Sequence, residues 1–323
     1  GLDGSMLTIF VRETINSYLL ARSKESTKLS PNEIINFLNE KYCQEEFPDD
    51  YFICIFIGVL ELENMNFCYA NAGIQIPPIK ATKTGEVELL SCGGMPIISA
   101  IDRNLYDFCE ESFDFLAGST ILFTTDGLVE EMRDEQMYGR ERIKEILAAN
   151  CHLPSDWIVE LINNDFIAFT RGEQLSDDVT YLILQHENEQ QQELTLEVAS
   201  SCDAIDYVKH QILEFIAPYT TEANKLLIGL FELITNAVEH GNKVQQSKKV
   251  KVKAVIDGEF ILFSIEDEGE GFNWRNKIGK TLDLDCFDER GRGITITGMC
   301  FDQFFYNHRG NKAFLVKKIN EPQ

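Results

Sequence analysis

Leu226-Leu227-Ile228-Gly229-Leu230-Phe231-Glu232-Leu233-Ile234-Thr235-Asn236-Ala237-Val238-Glu239-His240-Gly241 decides the fold of the C-terminal half. Leu227, Leu230, Phe231, Ile234 and Val238 recur at i, i+3, i+4, i+7 and i+11, the apolar stripe of a helix expected over 221–240. At about 100° per residue, Glu232, Asn236 and His240 fall on the opposite face. A solvated face favours generic Lys and Glu, whereas an Asn amide oxygen can ligate a hard cation such as Mg2+ and a neighbouring Glu can accept a proton. Taken alone, the spacing also fits a plain solvated face.

Two further clusters follow in order. A strand expected over 259–266 runs into Asp267-Glu268-Gly269-Glu270-Gly271-Phe272, which sets a carboxylate acceptor beside a backbone free to approach a planar ligand closely. Arg290-Gly291-Arg292-Gly293-Ile294 then opens a helix expected over 295–301, where free N–H groups and the positive end of the dipole suit phosphates. Each glycine cluster alone also fits an ordinary turn. The remaining expected elements are a strand at 194–199, a helix at 202–216, a strand at 249–256 facing the one at 259–266, and final strands at 304–308 and 313–319.

Glu232-x-x-x-Asn236-Ala237-x-x-His240-Gly241, Asp267-x-Gly269-x-Gly271 and Gly291-x-Gly293 resemble the boxes of the GHKL ATPases, and within them the anti-sigma-factor serine kinases. The resemblance covers 194–320 and implies a Bergerat α/β sandwich that binds ATP with Mg2+. It implies Glu232 as general base, Asn236 as Mg2+ ligand and Asp267 as acceptor for the adenine amino group. Gly269, Gly271, Gly291, Arg292 and Gly293 would shape the nucleotide pocket and phosphate cradle. Sensor histidine kinases share the boxes but carry a phosphoacceptor His on an upstream helical hairpin. Here the upstream partner reads as β-rich, and His210 sits on a helix of the second domain itself. Gyrase-like relatives need a transducer domain beyond the last strand, where this chain stops.

The N-terminal half begins with helices expected at 5–21 and 31–42, the second opened by Ser30-Pro31-Asn32-Glu33. Strands are expected at 51–61, 66–70, 86–91 and 120–125, helices at 140–150 and 154–170, and a strand at 179–185. Two strands carry acids at their ends, Thr124-Thr125-Asp126-Gly127 and Ser176-Asp177-Asp178. Carboxylates converging there can hold Mg2+ or Mn2+, and two such ions can activate water against a phosphomonoester. Asp-Gly turns and Asp-Asp strand caps are also common without metal. Tyr69-Ala70-Asn71-Ala72-Gly73 with Pro77-Pro78, Gly93-Gly94-Met95-Pro96, Phe123-Thr124-Thr125-Asp126-Gly127-Leu128, Tyr138-Gly139 and Asp177-Asp178-Val179-Thr180 resemble the bacterial PPM-type phosphatases of the sporulation class. The resemblance implies an α/β/β/α sandwich with Asp126 and Asp177 as ligands of Mn2+ or Mg2+. The family's other metal-binding aspartates lie upstream, in a loop ending in a Gly-His-Gly-like turn, and nothing before Asp126 supplies them. Either Gly1 is that loop's last glycine, which Leu2-Asp3-Gly4-Ser5-Met6 suits, or Gly4-Ser5-Met6 is a cloning scar. The expectation is a phosphatase domain over 1–186 lacking its first part, a polar linker over 187–193 and an ATP domain over 194–323.

Composition narrows the partners. A net charge of −24, with most of the excess before residue 194, disfavours nucleic acid and anionic lipid. The 9 cysteines never fall as Cys-x-x-Cys, which argues for a reducing compartment, and no apolar run approaches membrane-spanning length, so the cytoplasm is expected. Kinase and phosphatase resemblances on one chain imply a partner-switching module. Its partner would be an anti-sigma-factor antagonist of STAS fold, with a sigma factor as competitor and a homodimer as one form of the kinase. The alternative is an ATP-gated module that sequesters its partner without transferring phosphate.

Overall fold

Antiparallel pairing builds every sheet of this α+β chain. The computed structural model describes residues 2–23, 28–45, 47–48, 50–91, 93–99, 108–188, 190–275 and 292–319. It divides into two compact units, Gly1–Ser155 with Phe169–Glu187, and Asp156–Ala168 with Asn188–Gln323.

In the first unit, helices α1 (Leu2–Arg22) and α2 (Pro31–Gln44) lead into the sheets. Ser30 caps α2, its hydroxyl accepting from the Glu33 N–H at 3.2 Å, with Pro31 in the first turn. Ile35, Leu38 and Tyr42, at i, i+3 and i+7, pack in one cluster with Ala70, Ala72 and Ile97. Strands β1 (Ile55–Glu61), β2 (Asn66–Ala72) and β5 (Glu110–Asp114) form one sheet. The other has the order β4 (Val87–Leu89), β3 (Ile79–Ala81), β6 (Thr120–Thr124), β9 (Tyr181–Gln185). Phe56 from the first sheet meets Phe123 from the second edge-on, 5.7 Å between ring centroids, inside a cluster with Phe67, Tyr69 and Ile121. Helix α3 (Asp126–Val129), the small hairpin β7 (Met132–Arg133) and β8 (Gln136–Met137), and helices α4 (Arg140–Asn150) and α5 (Ser155–Thr170) lie between β6 and β9 in sequence, and Asp156–Ala168 of α5 belongs to the second unit.

The second unit is organised by a five-stranded sheet. Its order is β10 (Gln192–Ala199), β11 (Lys249–Asp257), β12 (Phe260–Asp267), β14 (Lys312–Lys318), β13 (Gln303–Tyr306). Helices α6 (Cys202–Ile216), α7 (Ala223–Asn236) and α8 (Arg292–Cys300) share one core with Val252, Phe263, Ile265 and Leu315 of that sheet. On the opposite sheet face, Trp157 meets Phe314 edge-on at 4.9 Å, which accounts for apolar residues on both faces of β14. Part of the stretch read as a linker is tied down, because Asn188 and Gln191 each donate at 2.8 Å to the Asp257 carboxylate and β10 already begins at Gln192. Phe231, read into the apolar stripe of α7, is 37% exposed, with Lys209 over its ring at 5.4 Å. The stripe is centred instead on Leu226, Leu230 and Leu233, and Phe231 lies at its rim. Among the described residues no helix is long and apolar enough to cross a membrane.

Candidate functional site

The helix carrying Glu232 and Asn236 does not end as an α-helix. After Asn236 the chain widens into a π turn over Ala237–Gly241, closed by the Asn242 N–H donating to the Ala237 carbonyl at 2.8 Å. The α-helical period therefore holds from Glu232 to Asn236, while His240 and Gly241 ride on the wider turn. Gly241 needs its missing Cβ, because a Cβ there would stand 2.5 Å from Asp267 Oδ1. The buried Asn242 fixes the junction, accepting from the Glu268 N–H at 3.0 Å and donating to the Lys249 carbonyl at 2.8 Å.

Asp267 closes β12. Its Oδ1 accepts from the Gly269 N–H at 2.8 Å, and its backbone exchanges bonds with Asn311 at 3.0 and 2.8 Å. Burial pushes the Asp267 carboxyl up from its ordinary range, against the pull of the Gly269 N–H, Lys248 and Arg309. Gly271, at φ +77°, passes so close to the Arg309 carbonyl that a Cβ would overlap it, and Arg309 Nη2 donates to the Gly269 carbonyl at 3.1 Å.

Asn236, His240, Gly241, Asp267, Gly271 and Ile294 line one cavity of about 540 Å³, with Phe272, Tyr306, Asn311 and Ala313 on its walls. That volume lies in the range of small-molecule sites. Glu232 lies beside it: a Cβ on Gly293 would stand 2.8 Å from Glu232 Oε2 and 3.5 Å from Asn236 Nδ2. The three motifs thus meet in space. Gly291 and the side chain of Arg292 lie outside the described residues. Sequence reasoning left Gly241, Tyr306 and Asn311 unassigned; only Gly241 carried a signal, as the residue after His240 in the motif. Close backbone approach and a half-buried carboxylate acceptor fit a planar base with an amino group, and the Asn236 amide oxygen fits a hard cation.

In the first unit, Asp126 and Asp177 come to the same end of one sheet. β6 and β9 pair Thr124 with Tyr181, and Thr125 binds the far strand through its N–H to the Thr180 carbonyl at 3.0 Å. Gly127 lies against the Asp178 carbonyl, where no Cβ would fit. Both carboxylates are exposed, each accepting from the next residue's N–H, at 3.0 Å for Asp126 and 2.7 Å for Asp177. Sequence reading missed Glu131. Its side chain is wholly buried, pairs with Arg133 and accepts from the Ser176 N–H at 3.0 Å, so it ties the segment after Asp126 to the residue before Asp177. Two carboxylates suit a divalent cation in kind but not in number; among the described residues no group of three or more His, Cys, Asp or Glu is placed to hold a metal.

Residues 1–187 match the family described as Stage II sporulation protein E (SpoIIE). The chain belongs to the SpoIIE family. Residues 184–317 match the histidine kinase-like ATPase domain, so a SpoIIE phosphatase domain of PPM type is followed by a GHKL-like ATPase domain. Protein IcfG of Synechocystis sp. is 26% identical over 196 residues, 56% of this SpoIIE-family chain and 30% of its own length. The chain therefore spans less than a third of that relative. Anti-sigma F factor of Clostridium perfringens is 24% identical over 135 residues, 39% of this chain and 96% of that protein. A crystal structure of the RsbU and RsbW domains of Rv1364c from Mycobacterium tuberculosis is 19% identical, covers 100% of this chain and 82% of its own, and superposes with a TM-score of 0.43.

Proposed function

We propose that this chain is a cytoplasmic partner-switching regulator whose second unit binds ATP with Mg2+ and phosphorylates a serine or threonine of a STAS-type anti-sigma-factor antagonist. The observation that carries the reading is the cavity shared by Asn236, Asp267 and Gly271, with Glu232 one helical turn before Asn236 and beside Gly293. Asp267 accepts from the adenine amino group, and Gly269 and Gly271 let the backbone approach the base. Gly291, Arg292 and Gly293 cradle the phosphates. Asn236 holds Mg2+, which neutralises charge on the phosphate oxygens when bound. Glu232 takes the proton of the incoming hydroxyl, the hydroxyl oxygen bonds to the γ-phosphorus, and the bond to the bridging oxygen breaks to release ADP. Asp126 and Asp177 would supply two of the carboxylates that hold Mn2+ or Mg2+ in the phosphatase unit, and only a complete metal set there would remove phosphate from the same class of partner. A sigma factor competes for the kinase surface, and the kinase pairs as a homodimer.

Glu232→Gln tests the reading against an ATP-gated module that only sequesters its partner. The amide keeps size and much of the hydrogen bonding but cannot accept the proton, so ATP affinity persists while transfer to a STAS-domain acceptor falls about 10²- to 10⁴-fold. A wild-type chain that binds ATP and the acceptor but moves no phosphate supports sequestration instead.

A further inference from the structure

One polar group in the cavity has no part in the phosphate transfer proposed above. Across the sheet, Ile265 of β12 pairs with Ala313 of β14, and Ala313 pairs with Tyr306 of β13. Directly paired residues carry their side chains on the same face, as do residues two apart along a strand. Asp267, Ile265, Ala313 and Tyr306 therefore share one face, and all four line the cavity. Adjacent strands are about 4.8 Å apart, so roughly 10 Å of sheet separates the strands bearing Asp267 and Tyr306. The small Ala313 side chain between them leaves that span open as a flat floor.

Tyr306 is 7% exposed, and its ring is fixed by Phe272 at 5.1 Å and Phe304 at 5.3 Å, both edge-on. Among the described residues its hydroxyl makes no hydrogen bond, so the cavity it lines is where a partner would come from. Burial, and secondly the charge of Asp267, push the phenol upward, so it keeps its proton and is available as a donor.

We propose that Tyr306 reads the base in the nucleotide cavity, its hydroxyl donating to a ring nitrogen of the purine whose amino group meets Asp267. Adenine offers that combination, an exocyclic donor together with unprotonated ring nitrogens. The proposal rests on the nucleotide reading above and adds to it the second edge of base recognition.

Tyr306→Phe keeps the ring and removes only the oxygen. Calorimetry on the full chain with Mg2+ and ATP gives an affinity about three- to tenfold weaker for the variant, the usual contribution of one hydrogen bond. Repeating the titrations with the 1-, 3- and 7-deaza analogues of ATP identifies the acceptor, because the gap between the two proteins closes for the analogue lacking that nitrogen. Equal ATP affinities in the two proteins overturn the proposal. A gap of the same size for ATP and all three analogues also overturns it, since it marks a change of pocket shape. A folded wild-type chain that binds no ATP removes the nucleotide reading itself, a result distinct from either of these.

Discussion

On Asp267 burial and charge pull in opposite directions. Its carboxyl is raised chiefly by burial, while the Gly269 N–H, Lys248 and Arg309 lower it. A carboxyl with a folded-state value above its unfolded one contributes stability that is fully present below the unfolded value and is lost as pH rises through the folded one. An adenine amino group favours the charged form, so ATP affinity is expected to weaken as pH falls through the raised value. Titrations from neutral to mildly acidic pH check this: Asp267→Asn should bind weakly with a flatter profile, and identical profiles would contradict the assignment. Glu131 makes a different prediction. Losing the wholly buried Glu131 carboxylate strips a partner from Arg133 and from the Ser176 N–H, while Arg133 keeps Glu173 at 3.6 Å and the Gln174 carbonyl at 2.8 Å, so Glu131→Ala is expected to cost about 1–3 kcal/mol in urea unfolding. A loss below about 1 kcal/mol would show that Arg133 and Ser176 find other partners.

At the scale of elements, the contact of α7 with α8 sets the distance between Glu232 and the expected phosphate cradle. Thr297, fully buried in α8, donates to the Gly229 carbonyl of α7 at 3.2 Å or to the Gly293 carbonyl at 2.9 Å. A Cβ on Gly293 meets the mobile end of Glu232, whereas one on Gly269 overlaps the Gly241 backbone carbonyl. Gly293→Ala should therefore displace the carboxylate and slow phosphate transfer, with stability held within about 0.5 kcal/mol. Gly269→Ala should cost about 1–3 kcal/mol of stability, because backbone cannot yield as a side chain can. The reverse order in melting and transfer assays would refute this placement. Elements with strong periodicity were legible in sequence: 140–150 and 202–216 are the observed bounds of α4 and α6. β5 was missed because Glu110-Glu111-Ser112-Phe113-Asp114 carries no apolar alternation, and its pairing depends on a tertiary neighbour, Phe113 opposite Phe67. β3 is three residues long, too short for a period to register. The π turn leaves no trace in composition, since it changes only which carbonyl each N–H finds. Glu131 reads as a solvated acid until Arg133 and Ser176 close over it.

Across the whole molecule, a SpoIIE-family phosphatase domain precedes a GHKL-like ATPase domain on one chain; the first unit brings Asp126 and Asp177 to one end of a sheet, and the second brings Asn236 and Asp267 into one cavity. The candidate residues were legible as motifs because the glycine, asparagine and aspartate clusters follow in order on compatible elements, although each cluster alone also fits a turn or a solvated face. What the motifs could not convey was which walls surround them, since Tyr306, Asn311 and Ala313 read as ordinary strand and turn residues. The second unit is proposed as a nucleotide site in which Asn236 holds the metal and Asp267 the base. Calorimetric titration of the full chain with ATP, in the presence of Mg2+ and then of a chelator, tests it most directly. One ATP per chain is expected to bind saturably, more weakly without Mg2+ in the wild type, with Asn236→Ala binding as weakly whether or not Mg2+ is present. A folded chain that takes up no ATP, or an Asn236→Ala variant that keeps the full Mg2+ dependence, would contradict it.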